Sequence, residues 1–400
     1  MTPEPSDISG TSTHFQDLLN NLNSGVRGGR RRKFCGPIEP YLHAARWFPL
    51  AIDPFAVLED VLYEGMEAEF SELRADTSDE EASSSNNHQK ELCIKQYKEL
   101  VKLVPTFSDI ISGFEKVPSA LDNFIHALTC AANDARSDDT GSLMREGLVY
   151  MLKNPETDQF NPPLLKQHGK IVRGWNHPQT ARLLCPMRML DVFDKNPQDF
   201  MDKVKEGQIT ITVAKLPAYL YDESMLDPAR KNRGCLRGYY LKRVFRHIFT
   251  GPSSAISATA HKGTKAPKGR IHGMTSPLPR AIAYAAVQAY FQLSSATQWR
   301  QQIGDFDLVL LYDRVVNMFE GNSINKQWVQ ETLDHWKSET PGLLQRGRSK
   351  ARIDAGLHVF DSEDDMDDFF ESDGHSPDNG EQGPQDRIES SGNAENTHGI

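Results

Sequence analysis

The chain has 400 residues, a net charge of −10, a hydrophobic share of 38% and five cysteines. A hydrophobic share below that of an average globular chain predicts that part of the length is disordered. The odd number of cysteines, without a C-x-x-C pair, argues against a disulfide scaffold or a structural zinc knuckle. No window of about 20 residues is apolar throughout, and the first 25 residues lack the pattern of a secretory signal. We therefore expect an intracellular protein of the nucleus or cytoplasm that does not span a membrane.

The net charge is the sum of two opposite regions. Residues 361–400 hold 13 acids and one base and carry −12, whereas residues 160–280 carry +13. No Asp or Glu occurs in the 77 residues from 228 to 304. This asymmetry predicts a basic surface for a polyanion or for the chain's own acidic tail. The alternative is a buried, uncharged helix beside a solvated basic loop.

The N-terminal part of the chain is predicted to be disordered and then helical. Residues 1–37 are polar and Gly-rich and end in a basic run, a pattern that can serve as a nuclear-import signal. Apolar residues then recur at helical spacing over 38–74, in a helix that we expect to begin near Pro54 with Asp53 as its N-cap. Residues 75–90 are acidic and rich in Ser and Asn, which predicts a linker.

The fold class predicted for the whole chain is mainly α, as a helical core domain over residues 91–337 with a minor two-strand element. Ser119 and Asp122 resemble a capping box at one helix start. The strand signals lie at 208–213 and 218–220. Helices are expected around residues 92–104, 107–114, 119–128, 142–153, 197–205, 234–250, 280–297, 305–319 and 325–337.

Three further segments complete the predicted organisation. Residues 154–186 contain several Pro and Gly and predict a long ordered loop, a feature that is often functional. Residues 281–296 are almost entirely apolar and uncharged, which predicts a buried central helix. Residues 338–400 are predicted to form a disordered tail that is acidic from 361.

The helix predicted at 234–250 has an apolar arc and a basic arc. At 100° per residue, Tyr239, Lys242, Arg243 and Arg246 fall together on the basic arc. Such a face is typical of surfaces that contact phosphates with charge and stack bases on a ring. Arg237 falls inside the apolar arc, where an unpaired charge is costly. We therefore expect Arg237 to pair with a carboxylate or to hold a ligand; the alternative is a solvated helix with one buried salt bridge.

A second candidate group lies in the long loop, where a guanidinium, an indole, an amide and an imidazole stand within five positions. This group could bind a phosphate or a base, and it could equally form an aromatic-anchored turn without a ligand. Two residues near position 271 extend the predicted basic surface. The candidate binding residues are Arg173, Trp175, Asn176, His177, Arg237, Tyr239, Lys242, Arg243, Arg246, Arg270 and His272.

Metal-binding and catalytic patterns are weak in this sequence. His168, His177 and Cys185 are nine and eight residues apart, whereas zinc sites usually use two tighter pairs. Asp138 and Asp139 could bind a divalent ion, but adjacent acids before Thr-Gly are more often caps and turn formers. The common nucleotide-binding, nucleophile-elbow and zinc-protease motifs are absent from the sequence. We therefore expect no metal and no cofactor.

The tail segment 359–370 interleaves acids with large apolar residues. This composition is typical of an interaction segment, because the acids keep the aromatic residues in water until they dock on a basic partner. Ser362 is followed by three acids and could accept a phosphate. The alternative is a tail that only increases solubility.

Six segments in fixed order resemble one known family: residues 135–141, 160–164, 173–178, 183–186, 247–254 and 270–275. The series resembles an uncharacterised domain family that is widespread in mushroom-forming (basidiomycete) fungi, over roughly residues 91–330. That family has no established activity. The resemblance therefore implies that the long loop and the basic helix belong to one folded unit, and it implies no mechanism.

The leading functional hypothesis is a non-enzymatic binding protein. Its basic surface would engage nucleic acid or another polyanion, and its acidic tail would compete for that surface or recruit a basic protein. The rival is a metal-assisted enzyme acting on a phosphate-containing or nucleic-acid substrate, in which Asp138, Asp139, His177 or His272 would meet Arg237 in one pocket. A third hypothesis, a protein–protein scaffold, predicts an exposed apolar patch.

Overall fold

The computed structural model describes residues 9–24, 36–74, 84–114, 116–227, 230, 232–257, 266–322 and 324–344. These residues form fifteen α-helices, several short 3₁₀ turns and one two-stranded antiparallel sheet, so the predicted mainly α fold class is confirmed. The helices are α1 Ser9–Ser24, α2 Glu39–Ala51, α3 Leu58–Arg74, α4 Ser84–Leu103, α5 Phe107–Phe114, α6 Pro118–Glu146, α7 Pro178–Leu184, α8 Leu190–Lys195, α9 Pro197–Lys205, α10 Tyr239–Thr250, α11 Lys268–Ile271, α12 Pro279–Leu293, α13 Leu308–Glu320, α14 Lys326–Glu339 and α15 Pro341–Leu344. The strands are β1 Gln302–Ile303 and β2 Phe306–Asp307.

The core consists of two hydrophobic clusters within one compact unit. The larger cluster surrounds α12, in which every residue from 281 to 293 is buried, as the uncharged stretch predicts. Helices α10 and α13 both pack against α12. The second cluster is built by α1 to α5 and the first half of α6. Helix α2 packs along α6 and also contacts α12, so it connects the two clusters.

Helix α1 lies within the stretch that the sequence predicts to be disordered. Its Leu18 is fully buried in the second cluster, and Phe15 packs edge-on against Phe114, with ring centroids 5.0 Å apart. A short polar helix is marginal by itself and gains its stability from tertiary packing. Sequence reasoning missed α1 because its stabilising partners are distant in the chain.

Two helix starts differ from the sequence-based expectations. Helix α3 begins at Leu58 rather than near Pro54, because the carboxylate of Asp53 accepts hydrogen bonds from the backbone N–H groups of Phe55 (2.8 Å) and Ala56 (3.2 Å) in a turn before the helix. Helix α4 begins at Ser84, inside the predicted linker.

Helix α6 is continuous through the segment 135–141, which was expected to connect two helices. The predicted capping box at Ser119 is wrong: Val117 is the N-cap and Pro118 occupies the first turn. The polar residues of 135–141 that usually favour turns have partners inside the helical structure. The Thr140 hydroxyl donates to the Arg136 carbonyl (2.9 Å).

The two strand predictions are wrong. Residues 208–213 form no strand, because the N–H groups of Gln208 and Ile209 bond to the Lys203 carbonyl at the end of α9 (2.8 and 3.1 Å). Residues 218–220 form a 3₁₀ turn. The sheet of the described chain is instead the small hairpin of β1 and β2.

Several other elements agree with the sequence-based expectations. Helix α9 has the predicted bounds, and residues 154–177 form an irregular segment with short 3₁₀ turns before α7. Among the described residues, no helix is both long enough and apolar enough to cross a membrane. The basic run at 30–33 and the acidic tail from 361 lie outside the described residues.

Candidate functional site

The predicted basic helix is shorter than expected and does not contain Arg237. Helix α10 begins at Tyr239, and Leu236 adopts a positive φ of 58° in the turn before it. Arg237 is therefore not on the helical apolar arc. Its Nη2 donates to the main-chain oxygen of Glu331 on α14 (3.1 Å), so the predicted carboxylate partner is wrong and a backbone carbonyl takes its place.

Lys242 and Arg246 of α10 pair with one acid from the end of α14. Lys242 Nζ lies 3.2 Å from a carboxylate oxygen of Glu339. Arg246 is buried, and its guanidinium bonds to both the carboxylate and the main-chain oxygen of Glu339, the latter at 2.8 Å. Because a cation so engaged offers few remaining N–H groups, these contacts attach α14 to α10.

Arg243 and Tyr239 hold the turn that follows α6. Arg243 donates to the main-chain oxygens of Tyr150 (3.0 Å) and Lys153 (2.9 Å), and its guanidinium carbon lies 4.9 Å from the ring centroid of Tyr239. The Tyr239 hydroxyl donates to the Met151 carbonyl (2.8 Å). The predicted basic arc thus faces other parts of the same chain.

Arg173 of the long loop stabilises the C-terminal end of the central helix α12. Arg173 donates to the Gln292 carbonyl (3.0 Å), and the neighbouring Lys170 donates to the Phe291 carbonyl (2.5 Å). Arg173 is a cation at the C-terminus of α12, so it interacts favourably with the helix dipole and with the unpaired carbonyls. Burial lowers the pKa of the Lys170 amine to about 6.

The imidazole and the amide of the loop also have structural partners. His177 is the N-cap of α7: its Nδ1 accepts a hydrogen bond from the Gln179 N–H (3.2 Å), and its Nε2 donates to the Pro162 carbonyl (2.7 Å). Burial lowers the pKa of His177, which favours this neutral form. Asn176 donates to the Ile171 carbonyl (2.8 Å).

Helices α6, α11 and α12 meet at a buried ion pair. Lys268 Nζ lies 2.5 Å from one carboxylate oxygen of Asp139, and the Tyr284 hydroxyl donates to the other (3.0 Å). Gln288 in turn donates to the Tyr284 oxygen (3.1 Å). Burial raises the pKa of Asp139, and the nearby Lys268 opposes that rise.

Beside this ion pair, Ser142 of α6 and His247 of α10 form a contact that resembles a nucleophile and its base. Ser142 Oγ lies 2.8 Å from His247 Nε2, and the Tyr150 hydroxyl lies 3.0 Å from Nδ1. Burial lowers the pKa of His247 to about 3, so the imidazole is a weak proton acceptor at neutral pH. Ser142 also lies inside α6, where backbone N–H groups are engaged in the helix. These features favour a packing role.

His272 follows α11 and joins it to α2. Its ring stacks on the indole of Trp47 (centroids 4.4 Å apart) and on the ring of His43 (3.8 Å). Burial together with nearby His43, Lys268 and Arg46 holds the pKa of His272 well below its usual range. Half-buried Arg270 makes no side-chain hydrogen bond or ion pair with a described residue.

The structure thus brings together only part of the set proposed for an enzyme. Asp138 pairs with Arg46 (2.7 Å), Asp139 pairs with Lys268, and both cations lie close enough to His272 to affect its pKa. His177 caps α7 and Arg237 contacts α14, so neither belongs to this cluster. Across the described ranges, no three His, Cys, Asp or Glu side chains are grouped as metal ligands.

A groove of about 340 Å³ opens where the two hydrophobic clusters meet. Its volume is within the usual range of small-ligand sites. One wall comes from the segment between α2 and α3, a second from α6, and a third from residues 299–301. The groove is lined by Phe48, Pro49, Asp53, Pro54, Phe55, Ala56, Val57, Leu58, Thr129, Ala132, Asn133, Arg136, Trp299, Arg300 and Gln301. We call it the Arg136–Trp299 groove.

Aromatic rings and guanidinium groups stand side by side in this groove. The rings of Phe55 and Trp299 stack with their centroids 6.0 Å apart, and the Arg136 guanidinium carbon lies 5.6 Å from the Trp299 centroid. Arg136 also donates to the Pro54 carbonyl (2.8 Å) and to the Asn133 side-chain oxygen (3.0 Å). The indole is therefore held between a ring and a cation.

Two groups in the groove have no partner among the described residues. The exposed Arg300 side chain makes no hydrogen bond or ion pair there, and the buried hydroxyl oxygen of Thr129 has no hydrogen-bond partner. Asp53, the acid of the groove, already accepts hydrogen bonds from two backbone N–H groups and from Gln96 (2.8 Å). A ligand in this groove would meet free cationic charge rather than free carboxylate.

The model of a family of unknown function (DUF6698) matches residues 131–340, more than half of the chain. The chain belongs to this family. The match to the DUF6698 family begins inside α6, later than the 91–330 range of the resemblance, and the uncharacterised domain that the resemblance implied is confirmed. No curated protein matches the chain, and no solved structure does. Arg136, Trp299 and Arg300 lie within the DUF6698 match, whereas the wall at residues 48–58 precedes it.

Sequence reasoning missed the Arg136–Trp299 groove. Two signals pointed to it: Arg136 stands in the motif 135–141, and Arg300 is the last basic residue of the acid-free stretch 228–304. Neither signal shows that both residues approach the segment between α2 and α3. Such an approach depends on the packing of α2 against α6.

Proposed function

We propose that this protein is a non-enzymatic binding protein for single-stranded nucleic acid, and that the Arg136–Trp299 groove takes one nucleotide. The observation that carries the proposal is the presence of aromatic rings and guanidinium groups in one groove of about 340 Å³. Proteins that bind single strands combine these two features, because the cations attract the phosphates and the rings contact the bases. We therefore assign polyanion binding to this groove instead of to the basic residues of α10.

The groups of the groove differ in the part of a nucleotide that they suit. Arg300 is exposed and makes no side-chain hydrogen bond or ion pair with a described residue, so it suits a phosphate oxygen. Phe55 and the edge of Trp299 provide apolar contact for a base. The amide of Gln301 and the buried hydroxyl of Thr129 can exchange hydrogen bonds with base edges.

Single-stranded rather than double-stranded nucleic acid fits the position of these groups. A base reaches an aromatic wall inside a groove only when it is unstacked and unpaired. The engaged cations of α10 also argue against a long basic helix face that would follow a duplex. The enzyme hypothesis is weaker, because His177 caps α7 and Arg237 contacts α14, away from Asp138, Asp139 and His272.

The remaining sequence-based hypotheses belong to the same proposal. We propose that the acidic tail competes with nucleic acid or recruits a basic protein partner, that the protein works in the nucleus or cytoplasm, and that it comes from a mushroom-forming fungus. These hypotheses rest on the composition of the chain and on the family resemblance. Removal of residues 345–400 tests the first of them.

The test is a binding titration of labelled single-stranded DNA and RNA between 50 and 200 mM salt, because phosphate contacts make affinity fall with salt. The protein is used at full length and without residues 345–400. We expect salt-dependent binding that the R300Q variant weakens, with a salt slope smaller by about 0.7. Arg188, which is exposed and does not line the groove, supplies the matched control R188Q. Absence of binding at low salt by both proteins would contradict the proposal.

A further inference from the structure

A second cavity, of about 230 Å³, lies between α9, the end of α12 and the β1–β2 hairpin. It shares no lining residue with the Arg136–Trp299 groove. Trp175, which the sequence suggested as a contact for a phosphate or a base, forms part of the wall of this cavity. No family property or motif assigns a role to this cavity.

Aromatic rings form part of the wall of this cavity. Tyr290 and Phe306 are both buried and stack with their centroids 3.9 Å apart, nearly parallel at 10°. Trp175, another residue of the wall, stacks on Phe200 with the ring centroids 6.1 Å apart. Because these rings are held by other rings, the cavity is preformed rather than created on binding.

Glycine allows the loop that carries Trp175 to lie close to the end of α12 at one edge of the cavity. Gly174 has a φ of +67°, and a Cβ atom there would come within 3.0 Å of the Ser295 backbone nitrogen. The loop that carries Trp175 can therefore approach the end of α12 closely only because residue 174 lacks a side chain.

Opposite charges stand among the lining residues. Lys205 ends α9, and Asp305 lies in the turn between β1 and β2; both side chains are exposed. Asp305 makes no hydrogen bond or ion pair with a described residue, and the surface pair of Lys205 with Asp202 is long, at 3.6 Å. An ammonium and a carboxylate on one ligand would find complementary partners here.

The size of the cavity limits the apolar part of the ligand. An apolar protein cavity of about 150 Å³ can hold benzene. A cavity of about 230 Å³ accommodates a bicyclic ring such as indole. The remaining atoms of the ligand would lie at the opening, beside the two charges.

From these observations we infer that the cavity binds an aromatic amino acid, with the ring between Tyr290 and Trp175, the carboxylate toward Lys205 and the ammonium toward Asp305. Tryptophan is the ligand whose ring best matches the volume. This site is independent of nucleic-acid binding, since it rests on different residues.

The test uses four ligands that share an indole ring: tryptophan, which carries both charges; tryptamine, which carries only the ammonium; indole-3-propionate, which carries only the carboxylate; and indole, which lacks the side chain. Binding to the full-length protein is measured by ligand-observed NMR titration. We expect tryptophan to bind most tightly, with tryptamine and indole-3-propionate each about 2- to 5-fold weaker, because each loses one exposed ion pair. N-acetyl-tryptophanamide, which lacks both charges, should bind like indole.

Matched variants locate the site. K205M should reduce the affinity for tryptophan to that for tryptamine and leave tryptamine binding unchanged. D305N should reduce the affinity for tryptophan to that for indole-3-propionate and leave indole-3-propionate binding unchanged. The control K203M removes a lysine of the same helix that pairs with Asp199 (2.7 Å) and does not line the cavity. V204F should fill the cavity and abolish binding of all four ligands.

Three binding results would contradict an amino-acid site in this cavity. No NMR signal for any of the four ligands would overturn it, and so would unchanged binding to a folded V204F protein. Equal affinity for tryptophan and N-acetyl-tryptophanamide would show instead that the cavity takes the side chain of a peptide partner. If V204F does not fold, the effects of K205M on tryptophan binding and of D305N on tryptophan binding still test the site. Oligonucleotide binding should remain unchanged in K205M and D305N.

Discussion

The guanidinium of Arg136 lies over the indole of Trp299, 5.6 Å from its centroid, while one of its nitrogens donates to the Pro54 carbonyl (2.8 Å). A single side chain of α6 thus connects two walls of the groove, one within the DUF6698 match and one before it. Sequence separation between these groups is large, and the groove exists only in the folded chain.

Loss of the Arg136 side chain should therefore weaken both the fold and the binding of nucleic acid. R136M is expected to lower the free energy of unfolding by about 1–2 kcal/mol, because it removes a cation–π contact and charged hydrogen bonds from a half-buried site. The same variant should bind single strands less tightly at every salt concentration. Urea denaturation and the oligonucleotide titration measure the two effects. A stable R136M protein with unchanged affinity would argue against the groove.

Arg246 should matter for stability and not for binding. R246A leaves the carboxylate of Glu339 without its closest cation, so we expect a loss of about 2 kcal/mol in the free energy of unfolding, moderated because Glu339 is partly solvated. K242A, on the same helix face, removes a more exposed partner of Glu339 and should cost less than about 1 kcal/mol. Both variants should keep the oligonucleotide affinity of the wild type. A large affinity loss in a folded R246A protein would restore the basic-helix hypothesis.

Acid should destabilise the protein through His247. Burial lowers the pKa of this imidazole to about 3, whereas an unfolded histidine titrates near 6.5. Below about pH 6.5 the unfolded chain binds a proton that the folded state excludes, so stability falls as the pH falls toward 3. Between pH 7.5 and 5 this single group should account for about 2 kcal/mol.

The measurement is denaturant unfolding of the wild type and H247Q at several pH values. Gln can keep a hydrogen bond to Ser142 but cannot take up the proton. The two proteins should therefore converge in stability as the pH falls from 7.5 to 5. Parallel pH profiles would show that His247 titrates normally in the folded protein.

Lys170 should be replaceable by an apolar residue of similar length. Burial lowers the pKa of its amine to about 6, so at pH 7 folding excludes a proton that the unfolded lysine binds, which costs free energy. In K170M the Phe291 carbonyl still accepts a hydrogen bond from the Ser294 hydroxyl (2.7 Å). We expect K170M to unfold at the same or higher urea concentration at pH 7, and K170A to unfold earlier because it leaves a cavity. A K170M protein as unstable as K170A would show that the amine is required.

Local sequence patterns predicted the parts of the fold that depend on local physics. The uncharged stretch 281–296 indicated the buried helix α12, and Pro197 with a helical period indicated α9. Local patterns gave wrong predictions where contacts with distant residues determine the secondary structure. The β-branched residues of 208–213 have no neighbouring strand in the part of the chain that the structure describes. The polar residues of 135–141 continue a helix, in which Asp139 pairs with Lys268.

The same distinction applies to the candidate residues. A helical projection placed Arg243 and Arg246 on a solvent-facing arc, because it could not show that residues 150–153 and α14 cover that arc. Basic residues of the acid-free stretch 228–304 form ion pairs with acids from other parts of the chain: Lys268 pairs with Asp139, and Arg246 pairs with Glu339. An uneven charge distribution along the sequence is therefore partly neutralised by the fold.

The most direct test of the proposed function is photo-crosslinking of the full-length protein to single-stranded RNA that contains 4-thiouridine, with the modified peptides mapped by mass spectrometry. The proposal predicts crosslinks in the walls of the groove, at residues 53–58, 129–136 and 299–301, and their loss in R300Q at moderate salt. Crosslinks confined to other surfaces, such as the half-buried side of α10 at Lys242 and Arg243, or no crosslinks at low salt, would contradict it.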